Sequence, residues 1–91
     1  MKAMEFIPTT NHKEIDIANG LLYLQEHEGT KLYSDGLEEN EYIYYESGKG
    51  FCYEDHCVIG RTLPKTLQVL RSLKWCFYHK FYIDKKDENE K

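Results

Sequence analysis

Hydrophobic residues recur at helical spacing near the start of the chain. Asn11, followed three residues later by Glu14, is typical of a helix N-cap with its capping-box partner. The apolar positions after them cover about half of a helical wheel, and they are Ile15, Ile17, Ala18, Leu21, Leu22 and Leu24. Gly29 is a suitable stop signal. The pattern therefore predicts a first helix over residues 13–28.

Strand-forming residues and turn residues alternate through the middle of the chain. Segments rich in Tyr, Ile, Val and Phe predict strands at residues 30–33, 41–46, 51–53 and 57–59. Gly, Asn, Asp and Ser cluster between them, at residues 34–36, 47–50 and 54–56. This arrangement predicts a meander of three or four antiparallel strands.

A second helix and a last strand follow. Thr62 is a good N-cap and Pro64 lies in the first turn, where a missing N–H costs little. One apolar stripe is predicted for this helix, formed by Leu63, Leu67, Val69, Leu70 and Leu73. Residues 75–83 alternate as a strand does, with a predicted core face of Trp75, Phe77, His79, Phe81 and Ile83.

The order of these elements predicts the fold class. It is α+β: a helix, an antiparallel meander of three to four strands, a second helix and a final strand. The 91 residues suit one domain, which we place at residues 1–83. Residues 84–91 are almost entirely charged, so we expect a disordered tail there.

Charge and composition narrow the classes of partner. With 16 acidic and 12 basic residues, the net charge is −4, which argues against direct binding of nucleic acid. No run approaches the roughly 18 apolar residues of a membrane helix, so no membrane partner is expected. Three cysteines without a secretory leader indicate reduced thiols and a cytoplasmic protein, in the host cytoplasm if a phage encodes it.

Cysteine and histidine residues raise the question of a metal site. Zinc takes four such ligands in tetrahedral geometry. The sequence offers five, Cys52, His56, Cys57, Cys76 and His79, of which the first four are the set considered. The pairs lack the short C-x-x-C spacing of zinc knuckles. We therefore expect no metal and no cofactor, and small buried thiols are the favoured interpretation.

The chain is unusually rich in tyrosine, with eight among its 91 residues. Strand alternation places Tyr42 and Tyr44 on one face, where they are equally suited to packing, to stacking a nucleobase or to anchoring a protein interface. Ile43 and Tyr45 on the other face are expected in the core. Acidic residues crowd the approach to this strand, at Glu38, Glu39 and Glu41.

Motifs of catalysis are missing from the sequence. There is no nucleophile elbow and no dinucleotide fingerprint. The turn Ser47-Gly48-Lys49-Gly50 lacks the spacing of a phosphate-binding P-loop and precedes a strand instead of a helix. We therefore expect a protein that is not an enzyme.

The whole pattern resembles a known family. The segments concerned are residues 29–32, Glu41-Tyr42-Ile43-Tyr44-Tyr45, Gly50, Glu54-Asp55, Val58-Ile59-Gly60, the leucine-bearing second helix and Trp75. Over residues 13–83 they look like small phage and prophage proteins of the type II Thoeris anti-defence family. That resemblance implies a short α+β protein that oligomerises and sequesters a cyclic ADP-ribose signal of a bacterial immune system.

The chain departs from that family at the ligand site. The family carries a Trp-centred, Gly-rich turn after its first strand, whereas residues 34–39 here contain two extra acids and no Trp. The long loop after the next strand is also missing. The resemblance therefore implies a phage or mobile-element origin more directly than it implies the sponge activity.

Two functions follow from these features, both without catalysis. The first is an inhibitor that contacts a bacterial defence protein through Glu38, Glu39, Glu41, Tyr42 and Tyr44. The second is a homo-oligomeric sponge that captures a nucleotide-derived signal through Tyr42, Tyr44, Lys49 and Arg61. A small regulatory or zinc-binding domain is a third alternative.

Overall fold

The computed structural model describes residues 6–38, 40–73 and 79–84. Within these ranges, two helices and two three-stranded antiparallel sheets form the α+β fold that the sequence predicts. The elements in chain order are β1 (His12–Ile15), α1 (Ile17–Glu26), β2 (Tyr33–Ser34), β3 (Ile43–Glu46), β4 (Gly50–Tyr53), β5 (Val58–Gly60), α2 (Leu63–Ser72) and β6 (Phe81–Asp84).

The first sheet joins the two ends of the described chain. Its central strand, β6, pairs with β1 on one side and with β2 on the other. An aromatic cluster supports this sheet: the ring of Phe6 stacks on Tyr33 at 5.0 Å between centroids and meets His12 edge-on at 4.9 Å. His12 Nε2 also lies 3.5 Å from Asp84 Oδ1. Asp84 is therefore the last residue of β6. The sequence pattern had placed it at the start of the charged tail instead.

The first helix begins later than the pattern predicts, and the proposed cap at Asn11 with Glu14 is wrong. Residues His12–Ile15 are extended and pair with β6. Asp16 is the true N-cap, since its carboxylate accepts hydrogen bonds from the Ala18 and Asn19 N–H groups at 3.1 and 3.4 Å. The backbone hydrogen bonds that four residues of β1 make with β6 stabilise this segment more than one local capping box would.

The second sheet, in the order β3-β4-β5, is the predicted meander. Its first hairpin closes where the sequence places it, with Lys49 N–H donating to Glu46 O at 3.0 Å. The two sheets are joined by a single-residue bridge between Leu32 and Ile43. The strand predicted at residues 30–33 is therefore split between the two sheets. Leu32 pairs with Ile43 at the start of β3, whereas Tyr33 belongs to β2 and pairs with β6.

The core lies between the helices and both sheets. It contains Ile17, Leu21, Leu24, Leu32, Leu37, Ile43, Phe51, Leu70, Phe81 and Ile83. Gly20, an unfavourable residue within a helix, has a packing reason: a Cβ there would lie 3.0 Å from Leu32 Cδ1. A side chain at this position would therefore require Leu32 and Ile15 to shift by a few tenths of an ångström.

The second helix begins as predicted, with Thr62 Oγ1 accepting from Lys65 N–H at 3.3 Å. Its predicted apolar stripe is only partly confirmed. Leu70 is buried, whereas Val69 and Leu73 are 37% and 52% exposed. Thr66 takes an inward place instead, fully buried and donating its hydroxyl to Thr62 O at 2.8 Å.

The predicted core face of the last strand is confirmed at Phe81 and Ile83, both buried. His79 differs from the prediction, because it is partly exposed and its Nδ1 lies 3.2 Å from Asp35 Oδ1. Trp75 and Phe77 lie outside the described residues, as does the predicted tail beyond Asp84.

Gly50 at the start of β4 provides a test of this packing. Its φ is +112°, and an added Cβ would lie 2.5 Å from Gly60 O and 2.7 Å from the Arg61 Cα. We expect Gly50→Ala to cost roughly 1–2 kcal/mol for the left-handed backbone and a further 1–3 kcal/mol or so for overpacking. Chemical denaturation followed by circular dichroism measures the change.

The matched control is Gly48→Ala, in the turn just before. Gly48 also has a positive φ, of +85°, but nothing lies within 4 Å of the added Cβ. Gly48→Ala should lower the free energy of unfolding only by the cost of the left-handed backbone conformation, about 1 kcal/mol. Equal losses at the two positions would show that β5 does not press on Gly50.

Candidate functional site

The two faces of the second sheet differ in chemistry. Ile43 and Phe51 point inward and are fully buried, and Tyr45 packs on Phe51 with ring centroids 5.0 Å apart. The predicted core position of Ile43 is thereby confirmed, whereas Tyr45 is partly buried and packs against the core. Tyr42 and Tyr44 lie on the other face and are only partly buried, so this outer face carries the aromatic surface.

A shallow depression, which we call the tyrosine hollow, lies on this outer face. Its volume is about 220 Å³, and it is lined by Gly29, Lys31, Tyr42, Tyr44, Glu46 and His56. The two tyrosine rings are 6.1 Å apart and tilted by 57°. Two aromatic rings, a carboxylate and an ammonium group therefore converge on one small concave surface.

The side chain of Lys31 contacts one of the tyrosine rings in the hollow. Its Nζ atom lies 4.7 Å from the centroid of the Tyr42 ring, within the range of a cation–π contact. Sequence reasoning missed this residue. The signal for it is strand alternation: the pairing of Leu32 with Ile43 puts Lys31 on the same outer face as the two tyrosines.

The hydroxyl of Tyr44 is held by a histidine. It lies 2.6 Å from His56 Nδ1, and His56 sits at a turn with φ of +73°. Loss of hydration, then the neighbouring Cys52 thiol and the Glu46 charge, raise the pKa of Tyr44 above its usual value of 10.0. The phenol is therefore protonated at neutral pH and its hydroxyl can donate to His56 Nδ1.

The hollow is braced by a clamp between the turn that follows α1 and the β3–β4 hairpin. The Glu28 carboxylate accepts hydrogen bonds from the Ser47 N–H and the Ser47 hydroxyl, both at 2.9 Å. These bonds, the backbone one first, lower the pKa of Glu28 below 4.5. The clamp fixes the segment that carries Gly29 and Lys31 relative to β3.

An acidic edge is formed by Glu38 and Glu41, which precede β3, and by Glu54 and Asp55, which follow β4. Glu41 Oε1 accepts from Glu38 N–H at 2.9 Å, which holds that turn together. Loss of hydration and then the negative charges of Asp55, Glu41 and Glu38 raise the pKa of Glu54 above 4.5. The start of β3 pairs with the end of β4, Ile43 opposite Tyr53, so the two acidic segments lie at the same end of the second sheet.

The other predicted partner and ligand residues are distributed unevenly. Glu39 lies outside the described residues. Neither Lys49 nor Arg61 lines the tyrosine hollow. Lys49 is half-buried in the hairpin turn, and Arg61 is exposed just before α2. Lys31 lines the hollow instead of these two residues.

The four metal ligands considered from sequence do not form a site among the described residues. Cys52 is buried, and its thiol donates to Gly50 O at 3.6 Å. Cys57 is exposed, and His56 is bonded to Tyr44 as above. Cys76 lies outside the described residues, and no three His, Cys, Asp or Glu side chains in the described part of the chain are placed to hold one ion.

Comparisons with known proteins add no relative from which a role could be transferred. No family model, no curated protein and no solved structure matches the chain. Nor does any helix in the described ranges have the length and apolar character of a membrane span. The chemistry of the hollow and of the acidic edge is therefore the basis for a functional proposal.

The clamp can be tested through its pH dependence. Because the folded-state pKa of Glu28 is lowered, its stabilisation is present above pH 4.5 and is lost as the pH falls below that value. We expect Glu28→Gln to melt below the unmodified protein at about pH 6, and the difference to shrink at about pH 3. Thermal melts by circular dichroism provide the comparison.

Glu26→Gln, at an exposed position two residues earlier at the end of α1, is the control. Its difference from the unmodified protein should not vary between the two pH values. A Glu28→Gln difference that stays constant with pH would rule out the clamp as an ionised contact.

Proposed function

We propose that this chain is a non-enzymatic binding protein that antagonises a bacterial defence system by contacting one of its proteins. The contact surface is the acidic edge together with the neighbouring tyrosines, Tyr42 and Tyr44. The observation that supports this proposal is the placement of four acidic residues at one end of the second sheet, in the segments directly before β3 and directly after β4. A basic partner surface relieves the repulsion between these carboxylates and gains aromatic anchors.

The small size of the hollow favours a protein partner over a captured small molecule. Pockets for drug-sized ligands measure roughly 300–1,000 Å³, whereas the tyrosine hollow measures about 220 Å³ and is open to solvent. The adjacent carboxylates also repel phosphate groups. A surface of this kind suits side chains that a large partner brings to it.

The target class comes from the family resemblance. Small phage and prophage proteins of the type II Thoeris anti-defence family act against a bacterial immune system, and we carry over that setting alone. The net charge of −4 supports a basic surface on the target. We propose action in the host cytoplasm.

One observation favours the second candidate, an oligomeric sponge for a nucleotide-derived signal. Lys31 lies beside Tyr42 and Tyr44, and it could contact a phosphate while a ring stacks on a base. A hollow completed by a second copy of the chain would enlarge the site. The sponge and the protein contact are separable by experiment.

The first test is functional. Bacteria carrying single defence systems are challenged with phage while the chain is expressed. We expect one system to lose protection, and one of its proteins to co-purify with the chain. Restored infection with a bound nucleotide and no protein would favour the sponge, and unaltered protection throughout would contradict antagonism of the tested systems.

The second test reverses one charge at the surface. Glu38→Lys should weaken binding of the co-purified protein about tenfold, with the loss diminishing as salt is added. Glu26→Lys makes the same change of charge on the exposed end of α1 and should bind as the unmodified protein does. Calorimetry at two salt concentrations measures both variants, and equal affinities would contradict the acidic edge as the contact.

A further inference from the structure

We infer that the tyrosine hollow is a socket for an arginine side chain of the protein partner, and that Lys31 occupies part of it in the free protein. This inference rests on the proposed function and names the chemistry that the hollow selects. It concerns the hollow only, because the acidic edge alone does not specify a side chain.

A cation of the chain itself already contacts an aromatic ring of the hollow. Lys31 Nζ lies 4.7 Å from the Tyr42 centroid, where the negative face of the ring attracts a positive charge. A second ring, Tyr44, lies 6.1 Å from the first. The Glu46 carboxylate lines the same surface, so the chain supplies both an aromatic and an ionic partner for a second cation.

Arginine matches these groups better than lysine does. Its planar guanidinium can stack on a tyrosine while it donates two parallel hydrogen bonds to a carboxylate. Tyr44 and Glu46 are two residues apart on β3, so both side chains lie on the outer face. A volume of about 220 Å³ suits a single side chain.

Lys31 acts as an internal competitor in this arrangement. An incoming cation meets the positive charge of Lys31 and competes for the same ring, so removal of that charge should strengthen binding of arginine. An anionic ligand would behave in the opposite way, because Lys31 would be its attraction. The sign of the effect at one residue therefore identifies the charge of the ligand.

The experiment is a titration followed by ¹⁵N nuclear magnetic resonance. The probes are the peptide acetyl-Gly-Arg-Gly-Arg-Gly-amide and, separately, ADP. Lys31→Met keeps most of the aliphatic stem and should bind the peptide about threefold more tightly. Glu46→Gln should bind it about threefold more weakly. Signals of Gly29 and Tyr44 should shift with the peptide.

The control for Lys31→Met is Lys65→Met, an equal change of charge at an exposed position of α2. It should leave the affinity for the peptide unchanged apart from a small general effect of net charge. Weaker or unchanged peptide binding in Lys31→Met would overturn the socket. So would ADP binding in the hollow that depends on Lys31.

Failure of the socket can be distinguished from failure of the proposed function. If Glu38→Lys weakens the protein partner while Lys31→Met and Glu46→Gln bind it normally, the socket is wrong and the contact surface stands. If Lys31→Met strengthens the partner and Glu46→Gln weakens it, the socket is supported. If none of the three variants changes binding, both proposals are overturned.

Discussion

The antiparallel pairing of Leu32 with Ile43 holds the two sheets together. Each residue donates its N–H to the carbonyl of the other at 2.8 Å, and both side chains are fully buried. Leu32 is followed directly by β2 of the first sheet, and Ile43 is the first residue of β3 in the second sheet. The same pairing places Lys31 beside Tyr42 and Tyr44, so the core and the outer surface share one geometric origin.

Strand alternation separates the core from the proposed contact surface in β3. Ile43 contributes to the core from the inner face, and its neighbours Tyr42 and Tyr44 face outward over the hollow. A small domain buries a modest fraction of its surface, and it cannot spare core residues for binding. Here one short segment serves both purposes because successive side chains point in opposite directions.

The elements that depend on local chemistry could be predicted from the sequence. Thr62 and Pro64 mark the start of α2, and the turn before Gly50 closes the hairpin, because caps and turns are decided within a few residues. The start of α1 could not be predicted in the same way. Its local signal at Asn11 competes with pairing to β6, a strand almost seventy residues away, and the pairing prevails.

The candidate site shows the same division between local and distant information. Tyr42 and Tyr44 were identifiable because alternation along one strand is local. The position of Lys31 depends on the register between two segments, and the clamp of Glu28 on Ser47 depends on how the turn after α1 meets a hairpin. Neither relationship can be obtained from spacing in a single sequence.

The lining of the hollow comes from three separate stretches of chain: residues 29–31, residues 42–46 and His56. None of the lining side chains belongs to the buried core, and substitutions on such surfaces usually change stability by only about 0.5 kcal/mol or less. Most of the lining side chains can therefore change without loss of the fold, provided that core residues between them, such as Ile43, are kept. Variants of this chain that differ widely across the hollow can therefore keep one common pattern of buried residues.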